Sequence, residues 1–196
     1  FMIICAPATP YYKGKVKVIV ADKYSRAASG GVGFAKAAGN YAASLLPAKI
    51  AKEEGYDQLI WTDSVEHKYI EESGTMNLMV IIDGKIITPP AGETILGGIT
   101  RTSVIDIARD LGYTVEVRQI SVDEVIEAQK NGKLEDMFGT GTAVTITHIS
   151  GFGRKGVDYE LPPVSERKIS THLKSELEAI KRNKKDSHPE WLIIVK

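Results

Sequence analysis

Short segments of alternating or continuous apolar residues run through the chain and predict strands. Residues 15–20 alternate lysine and branched apolar side chains, which is the pattern of a half-buried strand. Residues 58–61 and 77–82 are continuous apolar runs that indicate buried strands. Asp83-Gly84 separates the longer run from residues 85–88, and this dipeptide is a strong hairpin signal.

Other segments repeat their apolar residues with the helical period. Residues 40–54 are predicted to form a helix that Pro47 kinks and that Gly55 ends. The same signals predict three further helices, at residues 100–111, 122–130 and 165–182.

The remaining strands complete the fold prediction. They are predicted at residues 115–120, as two strands within residues 137–150, and as a closing strand at residues 191–195. Because hairpins are mixed with helices, the sequence predicts a mixed α+β domain (mixed α/β), not a doubly wound parallel sheet.

Composition narrows the class of ligand. The 196 residues are 43% hydrophobic and 26% charged, which is enough for one large domain with a core. The 25 basic and 25 acidic residues cancel, so the chain has no electrostatic footprint for nucleic acid or a membrane surface, and we expect a small-molecule ligand. Cys5 is the only cysteine, which excludes an internal disulfide and favours a reducing, cytoplasmic location.

Lys36 stands in unusual surroundings for a lysine. Its neighbours Phe34, Ala35, Ala37 and Ala38 are apolar, and we expect them to exclude water and favour the neutral amine. A neutral lysine is a nucleophile that forms Schiff bases. The alternative is that Lys36 is a solvated residue in a glycine-rich connection.

Two glycine-rich turns are candidate anion sites. Residues 97–100 (Gly-Gly-Ile-Thr) begin a predicted helix, where unpaired amides and the helix dipole favour a phosphate. Residues 139–143 (Gly-Thr-Gly-Thr-Ala) offer hydroxyls and amides to phosphate oxygens. The alternatives are a loop that leads into a helix and a bulge in a strand.

A pair of carboxylates, Glu71 and Glu72, precedes a turn and an apolar strand. A buried carboxylate needs a cationic partner, and a protonated pyridine nitrogen is one; an exposed pair is the alternative. Together with Lys36 and the two turns, a buried glutamate would complete the set of groups that holds pyridoxal 5′-phosphate.

Other cofactor and catalytic motifs do not fit. Lys36 occupies the third glycine position of the dinucleotide fingerprint, and the P-loop ending and the Gly-x-Ser-x-Gly elbow are missing. The four histidines are scattered, so no metal site is predicted.

The strings GGVGFAKAAGNYAAS, EESGTMNLM, ILGGITRTS and FGTGTAVTIT, with the ending EWLIIV, resemble the branched-chain amino acid aminotransferases. The resemblance covers essentially the whole chain and implies the fold type IV (D-amino acid aminotransferase-like) large domain of enzymes that use pyridoxal 5′-phosphate. The GTMN string favours this family over the D-amino acid aminotransferases and the aminodeoxychorismate lyases.

The resemblance assigns roles to individual residues. It implies that Lys36 binds the cofactor covalently and moves the proton during catalysis, that Tyr41 contacts the cofactor's phenolic oxygen, and that Glu72 pairs with its pyridine nitrogen. It places the phosphate at the amides of Ile99 and Thr100. The resemblance also implies two further cofactor-pocket residues, Arg26 and Thr142, and three substrate-site residues, Tyr11, Thr75 and Ala143.

The activity implied by the resemblance is transamination of leucine, isoleucine or valine with 2-oxoglutarate, which gives branched 2-oxo acids and glutamate. A homodimer is implied as well. Residues 1–196 correspond to the large, C-terminal domain, and the family's small N-terminal domain is expected to be absent from this chain, which leaves the activity of the isolated chain open. The alternatives are a non-catalytic truncated domain, a fold type IV lyase or a D-amino acid aminotransferase.

Overall fold

A computed structural model describes residues 2–7 and 15–193, which form nine strands and four helices. The strands are β1 (Val16–Val20), β2 (Gln58–Thr62), β3 (Ile70–Ser73), β4 (Met76–Ile82), β5 (Lys85–Thr88), β6 (Val115–Val117), β7 (Leu134–Gly141), β8 (Thr145–Arg154) and β9 (Val157–Glu160). The helices are α1 (Ala38–Glu53), α2 (Ile99–Asp110), α3 (Val122–Lys130) and α4 (Lys168–Lys181).

All nine strands belong to one mixed sheet, in the order β3-β2-β1-β8-β7-β4-β5-β6, with β9 beside β8. Strand β3 also pairs with β4, so six of the strands, β3, β2, β1, β8, β7 and β4, close into a ring. Strand β1 runs parallel to β2 and β8, and β5 runs parallel to β6, whereas the other pairs are antiparallel. The predicted mixed α+β class is therefore confirmed.

The alternation of side chains along the strands separates two cores. Val18 of β1 and Val80 of β4 belong to the core inside the ring, which α3 covers through Val125. Met79, next to Val80, belongs instead to a second core outside the ring, where α2 and α4 pack. The outer face of β4 is thus the surface on which the elements around the site are assembled.

Strand β3 contains an extra residue that changes this alternation. Ile60 and Thr62 of β2 lie two residues apart, yet they pair with Ser73 and Ile70, which lie three apart. A β-bulge of this kind re-aims side chains, often beside active sites. Because of the bulge, the two residues between Ile70 and Ser73, Glu71 and Glu72, both face away from the inside of the ring.

Most of the predicted elements are present. Helix α1 continues through Pro47, and both residues of the Asp83-Gly84 turn have positive φ (48° and 71°), as the predicted hairpin requires. Strands β3 and β9 were not predicted. The predicted strand at residues 115–120 is shorter than expected and ends at Val117.

Two predictions near the C-terminus are wrong in detail. The helix expected from residue 165 begins only at Lys168, after a single 3₁₀ turn (Val164–Glu166), because Arg167 adopts an extended backbone while its guanidinium bonds Asp136. Residues 191–193 of the expected closing strand form no strand. Pro189 begins a 3₁₀ turn there, and the Trp191 ring stacks on His188 at 3.9 Å between centroids. Residues 194–195 lie outside the described residues.

Candidate active site

A cleft of about 600 Å³ opens on the outer face of the sheet. Four segments border it: the loop that leads into α1, the turn between β3 and β4, the segment that leads into α2, and the turn between β7 and β8. Seven of the predicted site residues line this cleft, namely Lys36, Tyr41, Thr75, Ile99, Thr100, Thr142 and Ala143. The fold therefore brings together predicted site residues that lie far apart in the sequence, and the role of each stays a prediction.

The loop that carries Lys36 is fixed by its neighbours. The Asn40 side-chain amide donates to the carbonyls of Val32 (2.9 Å) and Ala35 (3.1 Å). Gly33 packs so closely that an added Cβ would lie 2.7 Å from the Glu93 carbonyl oxygen. Lys36 consequently enters the cleft from a backbone of defined shape, just before α1 begins.

The predicted exclusion of water from Lys36 is wrong for the described residues. Lys36 is exposed, and Phe34, which was expected to shield it, is 59% exposed. The loop lies at the rim of the cleft, so its apolar side chains point to the surface. The Lys36 Nζ atom lies 5.5 Å from the centroid of the Tyr41 ring, which places the two predicted cofactor contacts side by side.

Beneath the cleft, Glu72 and Arg26 form a buried ion pair. The Arg26 Nε atom lies 3.0 Å from Glu72 Oε2, and the side chains of Arg26 and Glu72 are 7% and 3% exposed, respectively. The remaining Arg26 donors bond the carbonyls of Gly33 (3.2 Å) and Thr94 (2.7 Å). Arg26 is therefore occupied within the protein, where it holds the Glu72 carboxylate and joins it to the Lys36 loop.

The charge of Glu72 depends on a balance of opposing effects. Burial raises the pKa of Glu72 from 4.5 to about 7, while the charge of Arg26 and the backbone N–H of Leu96 oppose the rise. Leu96 N donates to Glu72 Oε1 at 2.8 Å. A carboxyl group that titrates near neutral pH below a cleft is suited to share a proton with a basic ring nitrogen.

Glu71 lies beside Glu72 in a different environment. Its Oε1 atom accepts a hydrogen bond from the Thr94 hydroxyl at 2.5 Å, whereas Oε2 is buried and has no partner among the described residues. Burial raises the pKa of Glu71 as well. The segment 93–96 thus contacts both glutamates and Arg26, and it acts as one side of the site.

The N-terminus of α2 forms the opposite end of the cleft. No side chain caps it in the part of the chain that the structure describes, so its first amides are free to bind an anion. Gly98 begins the helix against Asn77, since an added Cβ would lie 2.0 Å from Asn77 Oδ1. Asn77 Nδ2 in turn donates to the Leu96 carbonyl at 2.8 Å and lies 3.4 Å from Glu72 Oε1. One asparagine therefore connects the carboxylate to the helix N-terminus.

The structure adds residues that the sequence did not identify as part of the site. Asn77 and Thr94 contact the two glutamates, and Leu96 does so through its backbone. The string that contains Asn77 was a signal for it, whereas a backbone donor such as Leu96 N leaves no trace in the sequence. The predicted substrate residue Tyr11 lies outside the described residues.

Residues 2–7 and 15–193 contain neither a metal-binding cluster nor a membrane-spanning helix. No group of three or more histidine, cysteine, aspartate or glutamate side chains that could hold a metal occurs there. None of the four described helices is both long and apolar enough to cross a membrane.

Comparison with known proteins gives consistent matches. The sequence profile of the family described as amino-transferase class IV matches residues 1–152. A Staphylococcus aureus (strain N315) protein named probable branched-chain-amino-acid aminotransferase is 51% identical over 152 residues, 76% of this chain and 42% of that protein. The chain therefore spans less than half the length of this curated relative.

Two solved structures extend the likeness. The branched-chain aminotransferase of Thermoproteus uzoniensis with norvaline has a TM-score of 0.80 and 28% identity, over 96% of this chain and 59% of that one. The Escherichia coli branched-chain amino acid aminotransferase has a TM-score of 0.75 and 28% identity, over 92% and 56%. A third solved structure is a branched-chain amino acid aminotransferase complexed with N-(5′-phosphopyridoxyl)-L-glutamate, at a TM-score of 0.74 and 28% identity over 93% of this chain and 57% of that one.

Proposed function

Since this chain belongs to the class IV aminotransferase family and has its fold, fold type IV, we propose that it binds pyridoxal 5′-phosphate and takes part in the transamination of branched-chain amino acids. In this proposal residues 1–196 are the cofactor-binding large domain of the enzyme. The likeness to the S. aureus and T. uzoniensis proteins supports the substrate class, and the likeness to the phosphopyridoxyl-glutamate complex supports the cofactor.

The single observation that carries the proposal is the Glu72–Arg26 pair beneath the cleft that Lys36 enters. Burying two charges costs desolvation energy, and a buried pair contributes little net stability in return. A protonated ring nitrogen that docks on the Glu72 carboxylate would account for this costly burial of charge. The uncapped N-terminus of α2 at the other end of the cleft fits the phosphate of the same cofactor.

Each residue of the site would have its own role in binding the cofactor. Glu72 holds a proton on the pyridine nitrogen, Tyr41 contacts the phenolic oxygen, and Arg26 positions Glu72. The amides of Ile99 and Thr100, with the hydroxyl of Thr142, bind the phosphate. When bound, the cofactor supplies an electron sink for the negative charge that develops at the amino acid Cα.

Lys36 has two tasks in this proposal. Its Nζ atom would hold the cofactor covalently, and it would also accept the proton that leaves the Cα of a bound amino acid. The position of Lys36 on the lining of the cleft supports both tasks, because a ligand in the cleft would lie within reach of its amine.

The proposed substrates are leucine, isoleucine and valine, with 2-oxoglutarate as the amino-group acceptor. Thr75 and Ala143 line the cleft and are exposed, so a substrate could contact both of them. The norvaline in the T. uzoniensis structure supports an apolar amino acid as substrate. The glutamate moiety in the phosphopyridoxyl-glutamate complex supports glutamate as the other amino acid of the exchange.

Covalent trapping tests the proposal. The full-length natural polypeptide would be incubated with pyridoxal 5′-phosphate, reduced with borohydride and mapped by mass spectrometry, with Lys36→Ala as the control. We expect a phosphopyridoxyl group on Lys36 alone, and glutamate formation from leucine and 2-oxoglutarate. Labelling scattered over surface lysines would contradict the cofactor site. A labelled Lys36 with pyruvate release from aminodeoxychorismate, and no glutamate, would favour a lyase instead.

We also propose a homodimer and a cytoplasmic location. Four large apolar side chains of the Lys36 loop and α1, those of Val32, Phe34, Leu45 and Leu46, are 52% to 71% exposed, which is typical of surfaces that other polypeptide covers. Light scattering of the full-length protein at micromolar concentration should give twice the monomer mass; a monomer mass would contradict the dimer.

A further inference from the structure

Thr140 has a buried hydroxyl without a partner. The side chain is 1% exposed, and its Oγ1 atom forms no hydrogen bond with any of the described residues. A buried hydroxyl that loses its bonds to water and gains none in return is destabilising, and native proteins rarely keep one without a reason. Thr140 nevertheless lines the cleft that contains Lys36.

The position of Thr140 in the sheet indicates which part of a ligand it faces. Thr140 pairs with Asn77, and Asn77 pairs with Glu72, so the three residues form a row across β7, β4 and β3. Neighbouring strands lie about 4.8 Å apart, which places Thr140 roughly 10 Å from Glu72. Glu72 lies at the end of this row that suits a pyridine nitrogen, and Thr140 lies at the other end.

That other end is where the anion-binding groups converge. The first residues of α2 and the turn after β7 both line the cleft beside Thr140, and both supply free amides or hydroxyls. Asn77, the neighbour of Thr140 in this row, does not bond it: the Asn77 amide nitrogen bonds the Leu96 carbonyl and lies 3.4 Å from Glu72 Oε1. A helix N-terminus and a buried, unpartnered hydroxyl thus point independently to a negatively charged acceptor.

We propose that the Thr140 hydroxyl donates a hydrogen bond to the phosphate group of pyridoxal 5′-phosphate and is a cofactor-anchoring residue in addition to Ile99, Thr100 and Thr142. This inference rests on the proposed function. A threonine hydroxyl carries one donor, and a phosphate is an acceptor of high charge, so the bond would belong to the strong, charge-assisted class. Occupation of the site would satisfy the hydroxyl that the protein leaves unpaired.

The test compares two ligands that differ only in the phosphate. Thr140→Val removes the hydroxyl and keeps the shape of the side chain. Dissociation constants of pyridoxal 5′-phosphate and of pyridoxal would be measured by absorbance on the full-length natural polypeptide. We expect Thr140→Val to bind pyridoxal 5′-phosphate about 10-fold more weakly and to bind pyridoxal as the unaltered protein does. Thr140→Ser keeps the donor and should restore most of the affinity for the phosphorylated ligand.

The same variants separate an anchoring role from a structural one. Because the hydroxyl is unpaired without ligand, Thr140→Val should leave the cofactor-free protein as stable as before or slightly more stable. Thr62→Val is the matched control, since the Thr62 hydroxyl is also buried but bonds the Ala21 carbonyl at 2.7 Å. It should lower the melting temperature of the cofactor-free protein and leave the ratio of the two affinities unchanged.

Several outcomes would overturn the inference. Equal affinity of Thr140→Val and the unaltered protein for pyridoxal 5′-phosphate would do so, and so would equal weakening of both ligands. If Thr140→Val does not fold, the same two dissociation constants would be measured for Thr140→Ala, which lacks the hydroxyl, and for Thr140→Ser, which keeps it. Equal affinities of these two variants for pyridoxal 5′-phosphate would also overturn the inference. Failure of the unaltered protein to bind the cofactor at Lys36 would instead refute the proposed function, so the two failures are distinguishable.

Discussion

At the scale of single residues, the carboxyl group of Glu72 is the most sensitive part of the site. Burial favours its protonated form, and Arg26, Leu96 and Lys36 favour its charge. Because the pKa of Glu72 is about 7, neither the protonated nor the charged form of the carboxyl predominates near neutral pH. Such a group changes its protonation with small changes around it, as the proposed docking of a ring nitrogen would require.

The raised pKa of Glu72 predicts a pH dependence of stability. In the unfolded chain this carboxyl titrates near 4.5, and in the folded, cofactor-free protein near 7, so the folded state holds the extra proton between these values. Its contribution to stability is therefore complete below pH 4.5 and is lost as the pH rises through 7, by on the order of 3 kcal/mol. The free energy of unfolding of Glu72→Gln should therefore fall less steeply with rising pH than that of the unaltered protein, because the variant has no carboxyl at this position to titrate.

The measurement is urea unfolding of the cofactor-free protein and of Glu72→Gln between about pH 4.5 and 8, a range that spans both pKa values. Only the slope with pH is compared, because the variant also leaves Arg26 without its counter-charge. Glu71→Gln measures separately the contribution of the neighbouring carboxyl, whose pKa burial also raises. Parallel stability curves for the unaltered protein and Glu72→Gln would show that Glu72 does not titrate in this window.

Residue by residue, the sequence identified the reactive groups better than their surroundings. Lys36 was singled out because apolar neighbours were expected to bury it, yet it is exposed and owes its place to a fixed loop. The pairing of Arg26 with Glu72 was not predicted, because these residues lie 46 positions apart and the chain between them contains no signal of contact. Contacts of this kind arise from the closure of the sheet and not from local pattern.

At the scale of elements, the start of α2 depends on a close approach that only glycine allows. An added Cβ at Gly98 would lie 2.0 Å from Asn77 Oδ1. Gly98→Ala should therefore displace either the helix N-terminus or Asn77, the two groups that connect the proposed phosphate site to Glu72. We expect the affinity for pyridoxal 5′-phosphate to fall about 10-fold or more, and the protein to lose about 1–3 kcal/mol of stability.

The adjacent glycine supplies the control. A Cβ at Gly97 would meet only the Ala91 Cβ, at 3.9 Å, which is an ordinary contact. Gly97→Ala should therefore bind the cofactor nearly as well as the unaltered protein in the same absorbance titration. Equal losses in both variants would mean that glycine flexibility, and not the contact with Asn77, determines the affinity.

The sequence predicted the elements that have strong local periodicity, and it missed those that form only because they pair with other strands. Helices α2 and α3 and strand β4 matched their predicted positions within a residue or two. Strand β3 was missed because its sequence, Ile-Glu-Glu-Ser, is half charged and is held in the sheet by β2 and β4. The bulge in β3 directs both glutamates to the same face, and it could not be predicted because strand prediction assumes that successive side chains alternate between the two faces.

At the scale of the whole molecule, the ring of strands is the feature that no local pattern predicted. It requires β1 to lie beside β8, with Val16 paired to Ile149, 133 positions later in the chain. It also requires β3 to bridge β2 and β4. The mixed class could be predicted because hairpins and helices leave local signals, whereas the order of strands depends on which distant faces pack together.

A buried ion pair holds α4 to this ring, away from the cleft. Arg167 Nη1 lies 2.7 Å from Asp136 Oδ1, and both side chains are 1% exposed. The Ser170 hydroxyl bonds the other oxygen of Asp136, and Arg167 also donates to the carbonyls of Ile149 and Pro162. We expect Asp136→Asn to lower the free energy of unfolding by about 3–5 kcal/mol, because it leaves the Arg167 charge buried without a partner.

A double-mutant cycle tests whether this loss belongs to the pair. Arg167→Gln alone should also destabilise, and the double variant should lose less than the sum of the two by about 1–3 kcal/mol in urea unfolding. Glu53→Gln, which breaks the exposed pair with Lys49, should change stability by no more than about 0.5 kcal/mol. Additive losses at Asp136 and Arg167 would show that the two residues act separately. Because the pair lies outside the cleft, the fraction of Lys36 labelled in the folded variants should stay unchanged.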